Sequence, residues 1–409
     1  MKKNAFLRWV MAFENKLGMF IHWGIYSMLG LHEQALARYS LDKGKYEALA
    51  KEFNPVEYDP EEWVLLAKAA GMKYICFTAK HHDGFCMWDT KYTDYNIMNT
   101  PYGKDVLRML ADACEKHGML LSLYYSNPDW HHPYGYNPTS THQWRSDMDN
   151  EPNTELYREF IKNQVRELLT NYGRIYTFFW DIPPKIYDPS LNELVRELQP
   201  EIFINDRGWD EGDFSTPERE YEHMAKDAFS RMTEACNSLG VESWGYRENE
   251  DFYSMRHIIS SIDRTMAMGG SYLLNVGPDS RGVITEKYKS RLNTVGDWYG
   301  RMGGCLEGCT PDKVSYSVKH EKYIATEKNG KSYLHFYNGL MCDAVFFDSY
   351  PSVPKKVRLL NTGATLSVCE EQLPEFFSMD TGVADVLLHV SGIPVDELAS
   401  EAIVLEVEW

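Results

Sequence analysis

The sequence has no long apolar run. No segment reaches the roughly 18 consecutive apolar residues that a membrane-spanning helix needs. Near the N-terminus, Arg8 and Glu14 interrupt the apolar stretch that follows Lys2 and Lys3, so the pattern of a secretory signal is missing. We therefore expect a soluble, cytoplasmic chain that carries no export signal and does not bind membranes.

Basic charge and paired cysteine motifs are also scarce. The 42 Lys and Arg residues are outnumbered by 60 Asp and Glu residues, which gives a net charge of −18. A nucleic-acid or anionic-membrane partner would require a basic surface, so we expect neither. The eight cysteines form no pair of CxxC units, which argues against structural zinc and favours free thiols in a reducing compartment. No GxGxxG motif follows the first strand, which argues against a dinucleotide-binding fold. We expect no cofactor.

Aromatic residues are abundant, at 14% of the chain with 11 Trp and 27 Tyr. Such residues form flat platforms under sugar rings, although they also fill large cores. The length of 409 residues exceeds what one ordinary core accommodates, so we expect one large and one small domain.

The first three quarters of the chain alternate between strand-like and helix-like patterns. Helical patterns over 104–117, 155–171 and 254–268 end at glycines, as helices commonly do. This alternation predicts a parallel α/β fold, most simply a (β/α)8-type barrel over residues 1–308, with a doubly wound sheet as the alternative. The apolar runs that we predict as its strands are 18–21, 74–79, 120–125, 175–180, 202–204 and 272–274.

After residue 308 the pattern changes to short strands separated by turn residues. Asn329-Gly330, Asn338-Gly339 and Thr362-Gly363 are typical of such turns. This spacing predicts a small antiparallel β-sandwich over residues 309–409. Its predicted strands are 322–326, 332–337, 344–347, 356–360, 387–390 and 403–407.

Three histidines follow predicted strands directly, where parallel α/β folds place their chemistry. His22 follows the first strand, and His81 and His82 follow the second. They could ligate zinc, or they could hydrogen-bond a neutral polar ligand. Adjacent side chains on a strand point to opposite faces, so His81 and His82 can both face a ligand only if the strand has already ended.

Asp181 ends the strand 175–180 and is the first candidate for a catalytic carboxylate. Pro183 and Pro184 would fix the loop that leaves it. Glycosidic chemistry needs a second carboxyl group to protonate the leaving oxygen. The segment 210–250 contains many acidic residues, and composition alone does not choose among them.

Six short motifs resemble, in the same order, those of the α-L-fucosidases of glycoside hydrolase family 29. Together they cover roughly residues 10–305, and the C-terminal sheet domain is similar in character. The resemblance implies a barrel-type glycosidase that needs no metal. The motifs are Gly18-Met19-Phe20-Ile21-His22-Trp23-Gly24-Ile25-Tyr26-Ser27, Lys80-His81-His82-Asp83-Gly84-Phe85 with Trp88, Tyr124-Tyr125-Ser126, Asn205-Asp206-Arg207, Trp244-Gly245-Tyr246 and Leu274-Asn275-Val276-Gly277-Pro278.

The resemblance also implies roles for particular residues. Asp181 matches the nucleophile, and Glu218 matches the acid/base. Independently of the resemblance, Glu234 is the next candidate among the acidic residues of 210–250. Trp244 matches an aromatic residue that packs against the C5-methyl side of fucose. The positions that match residues holding the fucose hydroxyls or lying beside the nucleophile are His22, His81, His82, Tyr124 and Arg207.

Two positions depart from the family pattern. Many relatives carry a Glu-Trp pair that touches the sugar after the first strand, whereas this chain has Glu33-Gln34. Glu33 is therefore a predicted sugar contact, and an aromatic contact is lost or comes from elsewhere. Many relatives also have Gly after the nucleophile, where this chain has Ile182.

We therefore predict a retaining exo-α-L-fucosidase that acts on fucosylated oligosaccharides. The sequence leaves both a monomer and a homo-oligomer open. One alternative is a glycosidase or transglycosidase for a similar sugar such as an L-galactoside. A second alternative is a sugar-binding protein on a barrel without activity. A third is a metal hydrolase that uses His22, His81 and His82.

Overall fold

The computed structural model describes residues 17–135, 154–184, 187–219, 229–372 and 386–409. The chain divides into two compact units. The first contains the described residues within 1–219, 231–252 and 272–293, and the second those within 220–230, 253–271 and 294–409. The predicted domain boundary at residue 308 stays a prediction.

Seven strands form the sheet of the first unit. Its hydrogen-bonded order is β5-β4-β3-β2-β1-β7-β6. The pairings from β1 through β5 and of β1 with β7 are parallel, so the carboxyl ends of these strands meet at one edge. The strands are β1 Leu17–Ile21, β2 Tyr74–Lys80, β3 Leu120–Ser126, β4 Ile175–Asp181, β5 Phe203–Ile204, β6 Glu234–Ser238 and β7 Ser271–Val276.

An irregular segment, residues 214–218, connects the two outer strands of this sheet. Phe214 forms a parallel bridge with Asn205, just beyond β5, and Glu218 forms one with Cys236 in β6. The segment thereby occupies the position of an eighth strand between β5 and β6. With the parallel sheet, it confirms the predicted (β/α)8-type architecture.

Helices alternate with the strands, as the sequence predicts. The helix at 106–117 begins at Asp105, which accepts a hydrogen bond from the amide of Arg108, and ends at Gly118 with a left-handed φ of 63°. No helix in the described part of the chain is long and apolar enough to cross a membrane. The α-helices are α1 Ala35–Arg38, α2 Lys43–Ala48, α3 Pro60–Ala69, α4 Val106–His117, α5 Thr154–Asn171, α6 Ser190–Leu198, α7 Met255–Ala267 and α8 Glu286–Leu306.

The second unit contains two antiparallel sheets, ordered β13-β16-β11-β10-β8 and β14-β15-β12-β9. Both sheets contribute side chains to one buried apolar cluster, which is consistent with the predicted sandwich. This cluster includes Leu334, Phe347, Val390 and Leu405. Its strands are β8 Thr310–Pro311, β9 Ser317–Val318, β10 Ile324–Lys328, β11 Lys331–Phe336, β12 Ala344–Ser349, β13 Lys356–Leu359, β14 Ser367–Gln372, β15 Val386–Ser391 and β16 Ile403–Glu408.

Candidate active site

A cavity of about 600 Å³ opens at the carboxyl edge of the barrel sheet. All nine residues predicted from the sequence as catalytic or sugar-binding line it. The structure therefore brings together residues that lie as far apart in the chain as His22 and Trp244. The lining residues are Phe20, His22, His32, Glu33, Gln34, Arg38, Tyr39, His81, His82, Tyr124, Phe179, Asp181, Ile182, Arg207, Glu218, Arg219, Cys236, Glu242 and Trp244.

Asp181 ends β4 and lies on the cavity wall with its carboxylate held from three sides. Its Oδ2 accepts a hydrogen bond of 2.6 Å from the Tyr124 hydroxyl, and its Oδ1 accepts one of 3.0 Å from Arg207. The Nε2 of His82 lies 3.8 Å from Oδ2. Burial alone would raise the pKa of Asp181, but the charge of Arg207, assisted by His82 and Tyr124, brings this pKa below its ordinary value. Asp181 is thus kept as an anion.

Glu218 is the second carboxylate of the cavity. The Nη1 of Arg207 donates to Glu218 Oε2 at 2.8 Å as well as to Asp181 Oδ1 at 3.0 Å, so these two oxygens are at most about 5.8 Å apart. This spacing suits retaining glycosidases, whose two carboxyl groups lie about 5–5.5 Å apart. Glu218 is also the more accessible of the two, with 38% of its side chain exposed against 13% for Asp181.

His22 presents a fixed, uncharged ring to the cavity. Burial lowers its pKa to about 4. Its Nδ1 lies 2.6 Å from Oδ1 of Asn275, whose amide nitrogen donates to Ser238 and to the carbonyl of Trp244. Because Asn275 is oriented as an acceptor toward His22, Nδ1 carries the proton and Nε2 is left as an acceptor. Such a nitrogen can accept a hydrogen bond from a sugar hydroxyl.

His81 and His82 both line the cavity because β2 ends at Lys80, with an irregular register between Thr78 and Lys80. Lys80 turns into the protein instead, where its ammonium lies 3.0 Å from Asp129.

Each of the two histidine rings is held by a neighbour. The Ser126 hydroxyl donates to a backbone carbonyl and accepts from Nδ1 of His82 at 2.7 Å, which directs Nε2 of His82 toward Asp181. The ring of His81 stacks on Tyr124 at 5.6 Å between centroids. Both histidines are thereby oriented before any ligand arrives.

Trp244 forms an apolar wall of the cavity, and Glu33 holds the loop that carries it. The indole lies 5.3 Å from the His22 ring and 6.1 Å from the Phe20 ring, between centroids. The buried Glu33 Oε2 accepts hydrogen bonds from Ser243 at 2.7 Å and from the amide of Trp244 at 2.9 Å. Although burial opposes it, the nearby His32 and the hydrogen bond from Ser243 lower the pKa of Glu33. Glu33 therefore supports the aromatic wall as an anion.

Several lining residues carry no signal that hydrophobic patterning can detect. Arg219 follows Glu218 with a positive φ of 52°, and its guanidinium lies 4.7 Å from the Trp244 ring centroid. Tyr39 lines the same cavity as Glu33 and Gln34, so the cavity contains an aromatic side chain in addition to those of the quoted motifs. Asn275, which orients His22, does not line the cavity. It did carry a sequence signal, because it is the polar residue that follows the apolar run 272–274.

Ile182, directly after Asp181, adopts a backbone conformation that β-branched residues rarely take. Its φ is +59°, in the left-handed region. Its side chain is 9% exposed and lines the cavity, while its carbonyl accepts from the Asn127 amide at 3.1 Å. Glycine would take this φ without strain, so the isoleucine places an apolar group beside Asp181 at a conformational cost.

Glu234, the next acid/base candidate from the sequence, lies at the opposite end of its strand from the cavity. It is the first residue of β6 and accepts a hydrogen bond of 2.5 Å from Tyr74, the first residue of β2. Burial raises its pKa to about 7. Because it does not line the cavity, Glu234 is not placed to protonate a leaving group there.

The donor geometry does not favour the metal-hydrolase alternative. Among the described residues, the group of His, Cys, Asp or Glu donor atoms that lies within 4.8 Å is elsewhere, at Cys369, Glu371 and His389. The cavity instead combines two spaced carboxylates with oriented hydrogen-bonding rings and an apolar wall. These features define a glycoside hydrolase.

Comparison with known proteins identifies the family. Residues 8–304 match the family described as Alpha-L-fucosidase. The tissue alpha-L-fucosidase of Homo sapiens is 27% identical over 354 residues, which cover 79% of this chain and 74% of that protein. The chain belongs to the alpha-L-fucosidase family, and the predicted family and glycosidase class are confirmed.

Solved structures agree with this assignment along the whole chain. The alpha-L-fucosidase isoenzyme 1 of Paenibacillus thiaminolyticus is 30% identical, with a TM-score of 0.83 and 99% of each chain covered. The alpha-fucosidase of Thermotoga maritima, solved in complex with fucose, is 27% identical with a TM-score of 0.76, covering 97% of this chain and 96% of that one. The likeness therefore includes the C-terminal sheets as well as the barrel.

Proposed function

We propose that the protein is a retaining exo-α-L-fucosidase that releases terminal α-L-fucosyl residues from oligosaccharides or glycoconjugates. The observation that carries this proposal is the contact of one Arg207 nitrogen with both Asp181 and Glu218. It keeps one oxygen of each carboxylate within about 5.8 Å of the other, which is compatible with the separation of about 5–5.5 Å in retaining glycosidases.

In the first step, the Asp181 carboxylate attacks the anomeric carbon and forms a covalent fucosyl-enzyme, while Glu218 protonates the departing oxygen. Arg207, Tyr124 and His82 stabilise the anionic form of Asp181, so Glu218 is the member of the pair that exchanges a proton. In the second step Glu218 takes a proton from water while the water oxygen bonds to the anomeric carbon and the bond to Asp181 breaks, which releases fucose with retained configuration and regenerates both carboxyl groups.

The oriented rings recognise the sugar hydroxyls. The Nε2 of the uncharged His22 accepts from one hydroxyl, and His81 and His82 face the same cavity. A sugar that lacks a matching hydroxyl would leave one of these buried nitrogens without a partner, which costs about 1–3 kcal/mol.

The apolar wall favours fucose over L-galactose. Trp244 and Phe20 suit the C5-methyl group of fucose, whereas L-galactose carries a hydroxymethyl group there. An apolar pocket discriminates against one added hydroxyl by roughly 10²-fold. We therefore expect kcat/KM for an aryl α-L-fucoside to exceed that for the α-L-galactoside by about this factor, and the reverse preference would support the L-galactoside alternative.

The direct test is hydrolysis of an aryl α-L-fucoside by the Asp181→Ala variant. We expect a loss of roughly 10³-fold or more, partly restored by azide, which would occupy the space of the missing carboxylate. Asp206→Ala is a matched control, because Asp206 precedes Arg207 but does not line the cavity. Equal activity of wild type and Asp181→Ala would contradict the proposal, and binding without turnover by wild type would favour the sugar-binding alternative.

The role of Glu218 is tested by leaving-group dependence. A Glu218→Ala variant should hydrolyse a disaccharide slowly but retain its first step on a substrate with a good leaving group, which needs no proton. An equal loss on both substrates would show that another group is the acid.

A further inference from the structure

Three side chains of different chemistry meet on the sheet that contains β14 and β15, far along the chain from the catalytic residues. Cys369 and Glu371 are two residues apart on β14 and so share one face. His389 on β15 is the direct cross-strand partner of Cys369. One donor atom from each of the three residues lies within 4.8 Å of the other two.

The imidazole of His389 is held from both neighbouring strands. Its Nδ1 lies 3.0 Å from Glu371 Oε2 on β14. On the other side it stacks on Phe346 of β12, with 4.7 Å between ring centroids and an angle of 19° between planes. Because β15 is hydrogen-bonded to both strands, the sheet fixes the backbone under all three donors.

We propose that Cys369, Glu371 and His389 bind one zinc ion, with water as the fourth ligand. Thiolate, imidazole and carboxylate are the ligands that zinc prefers, whereas calcium and magnesium prefer sites built from oxygen. Zinc bonds of about 2.0–2.3 Å in tetrahedral geometry separate neighbouring ligand atoms by roughly 3.3–3.8 Å. Donor atoms that already lie within 4.8 Å reach this separation by small side-chain rotations.

The competing explanation is an ordinary ion pair between Glu371 and His389. Such an exposed pair contributes only about 0–1 kcal/mol and makes no use of the thiol. The chain offers a matched control for the thiol, because the described cysteines include two exposed ones, Cys342 and Cys369. Cys342 belongs to no such donor group within the described ranges.

Zinc at this position would join β14 to β15 through side chains, in addition to their backbone hydrogen bonds. A ligand that binds the folded state and not the unfolded chain stabilises the fold in proportion to its concentration above Kd. Zinc should therefore raise the unfolding temperature of the second unit.

The experiment uses the full chain, stripped of metal and titrated with Co²⁺ and then Zn²⁺. We expect one Co²⁺ per chain with a thiolate-to-cobalt charge-transfer band, which Zn²⁺ then abolishes. The Cys342→Ser variant should behave as wild type. Cys369→Ser should lose the band, and His389→Gln and Glu371→Gln should weaken Zn²⁺ binding by at least roughly tenfold.

Unchanged fucosidase activity and circular dichroism would show that each variant is folded, because none of these residues contributes to the catalytic cavity. Zn²⁺ should raise the thermal midpoint of wild type and Cys342→Ser but not of Cys369→Ser. The proposal is overturned if wild type shows no charge-transfer band, or if Zn²⁺ binds Cys369→Ser as tightly as wild type.

Discussion

The Tyr124→Phe substitution isolates one contact of the nucleophile. It removes the hydroxyl that donates to Asp181 Oδ2 at 2.6 Å and leaves the ring that stacks on His81. A hydrogen bond to a charged group contributes about 1.5–3 kcal/mol. With about 1.4 kcal/mol for each factor of ten, kcat/KM for an aryl α-L-fucoside should fall roughly 10- to 150-fold.

The pH profile gives a second readout of the same change. The Tyr124 hydrogen bond is among the interactions that lower the pKa of Asp181. Its loss raises this pKa, so the acidic limb of kcat/KM should move to higher pH. A purely structural defect would lower the amount of active enzyme without moving the limb.

Tyr125→Phe is the matched control. Tyr125 is the next residue of the same strand, is equally buried, and donates its hydroxyl to Gln164 at 2.7 Å instead of to Asp181. Its loss should reduce stability but leave kcat/KM and the acidic limb in place. The reasoning is refuted if Tyr124→Phe keeps kcat/KM within a factor of two, or if both variants lose activity equally.

Three further predictions concern stability and the aromatic wall. The folded state holds a proton on Glu234 up to a pKa of about 7, while the unfolded chain releases it near 4.5, so this stabilising contribution is present below pH 4.5 and lost as the pH rises to 7. The unfolding free energy of wild type, measured by urea titration, should therefore fall between pH 5 and 7.5, and Glu234→Gln should reduce this fall by up to ~3 kcal/mol. If the unfolding free energies of wild type and variant change in parallel with pH, this prediction is wrong. Ile182→Gly should be more stable than Ile182→Ala by about 1 kcal/mol, because only glycine adopts the positive φ without strain. This is opposite to the usual order of the two residues. A higher stability of Ile182→Ala in calorimetry would show that the backbone is not strained at this position. Glu33→Gln should mainly raise KM for the fucoside by loosening the Trp244 loop, and an unchanged KM would remove Glu33 from that role.

The barrel strands that were predictable are those whose side chains are covered on both faces. β2 and β4 are almost wholly apolar and buried, so a short run of apolar residues marks them. β6 was missed because its sequence, Glu234–Ser238, is mostly polar although every residue is buried. The segment 214–218 was missed because its position depends on bridges to residues at β5 and β6, which are distant in the chain. Apolar patterning does not identify a strand that its neighbours bury but that consists mainly of polar residues.

Site residues could be predicted where they follow a strand or lie in a motif. His22, Asp181 and Arg207 were found in this way. The function of Glu33 as a support for Trp244 was not predictable, because the two residues are 211 positions apart and meet only through folding. We also expect the loops 127–150 and 207–225 to contact the aglycone, and both lie partly outside the described residues.

The central claim is that Asp181 forms the covalent bond to the sugar. It is tested most directly by reacting the enzyme with 2-deoxy-2-fluoro-α-L-fucosyl fluoride, which forms the intermediate faster than water can hydrolyse it, followed by digestion and mass spectrometry. The account predicts one 2-fluorofucosyl group per chain, attached at Asp181 in the peptide that contains β4. A label at any other residue, or turnover of an aryl fucoside by enzyme that this reagent never labels, would contradict it.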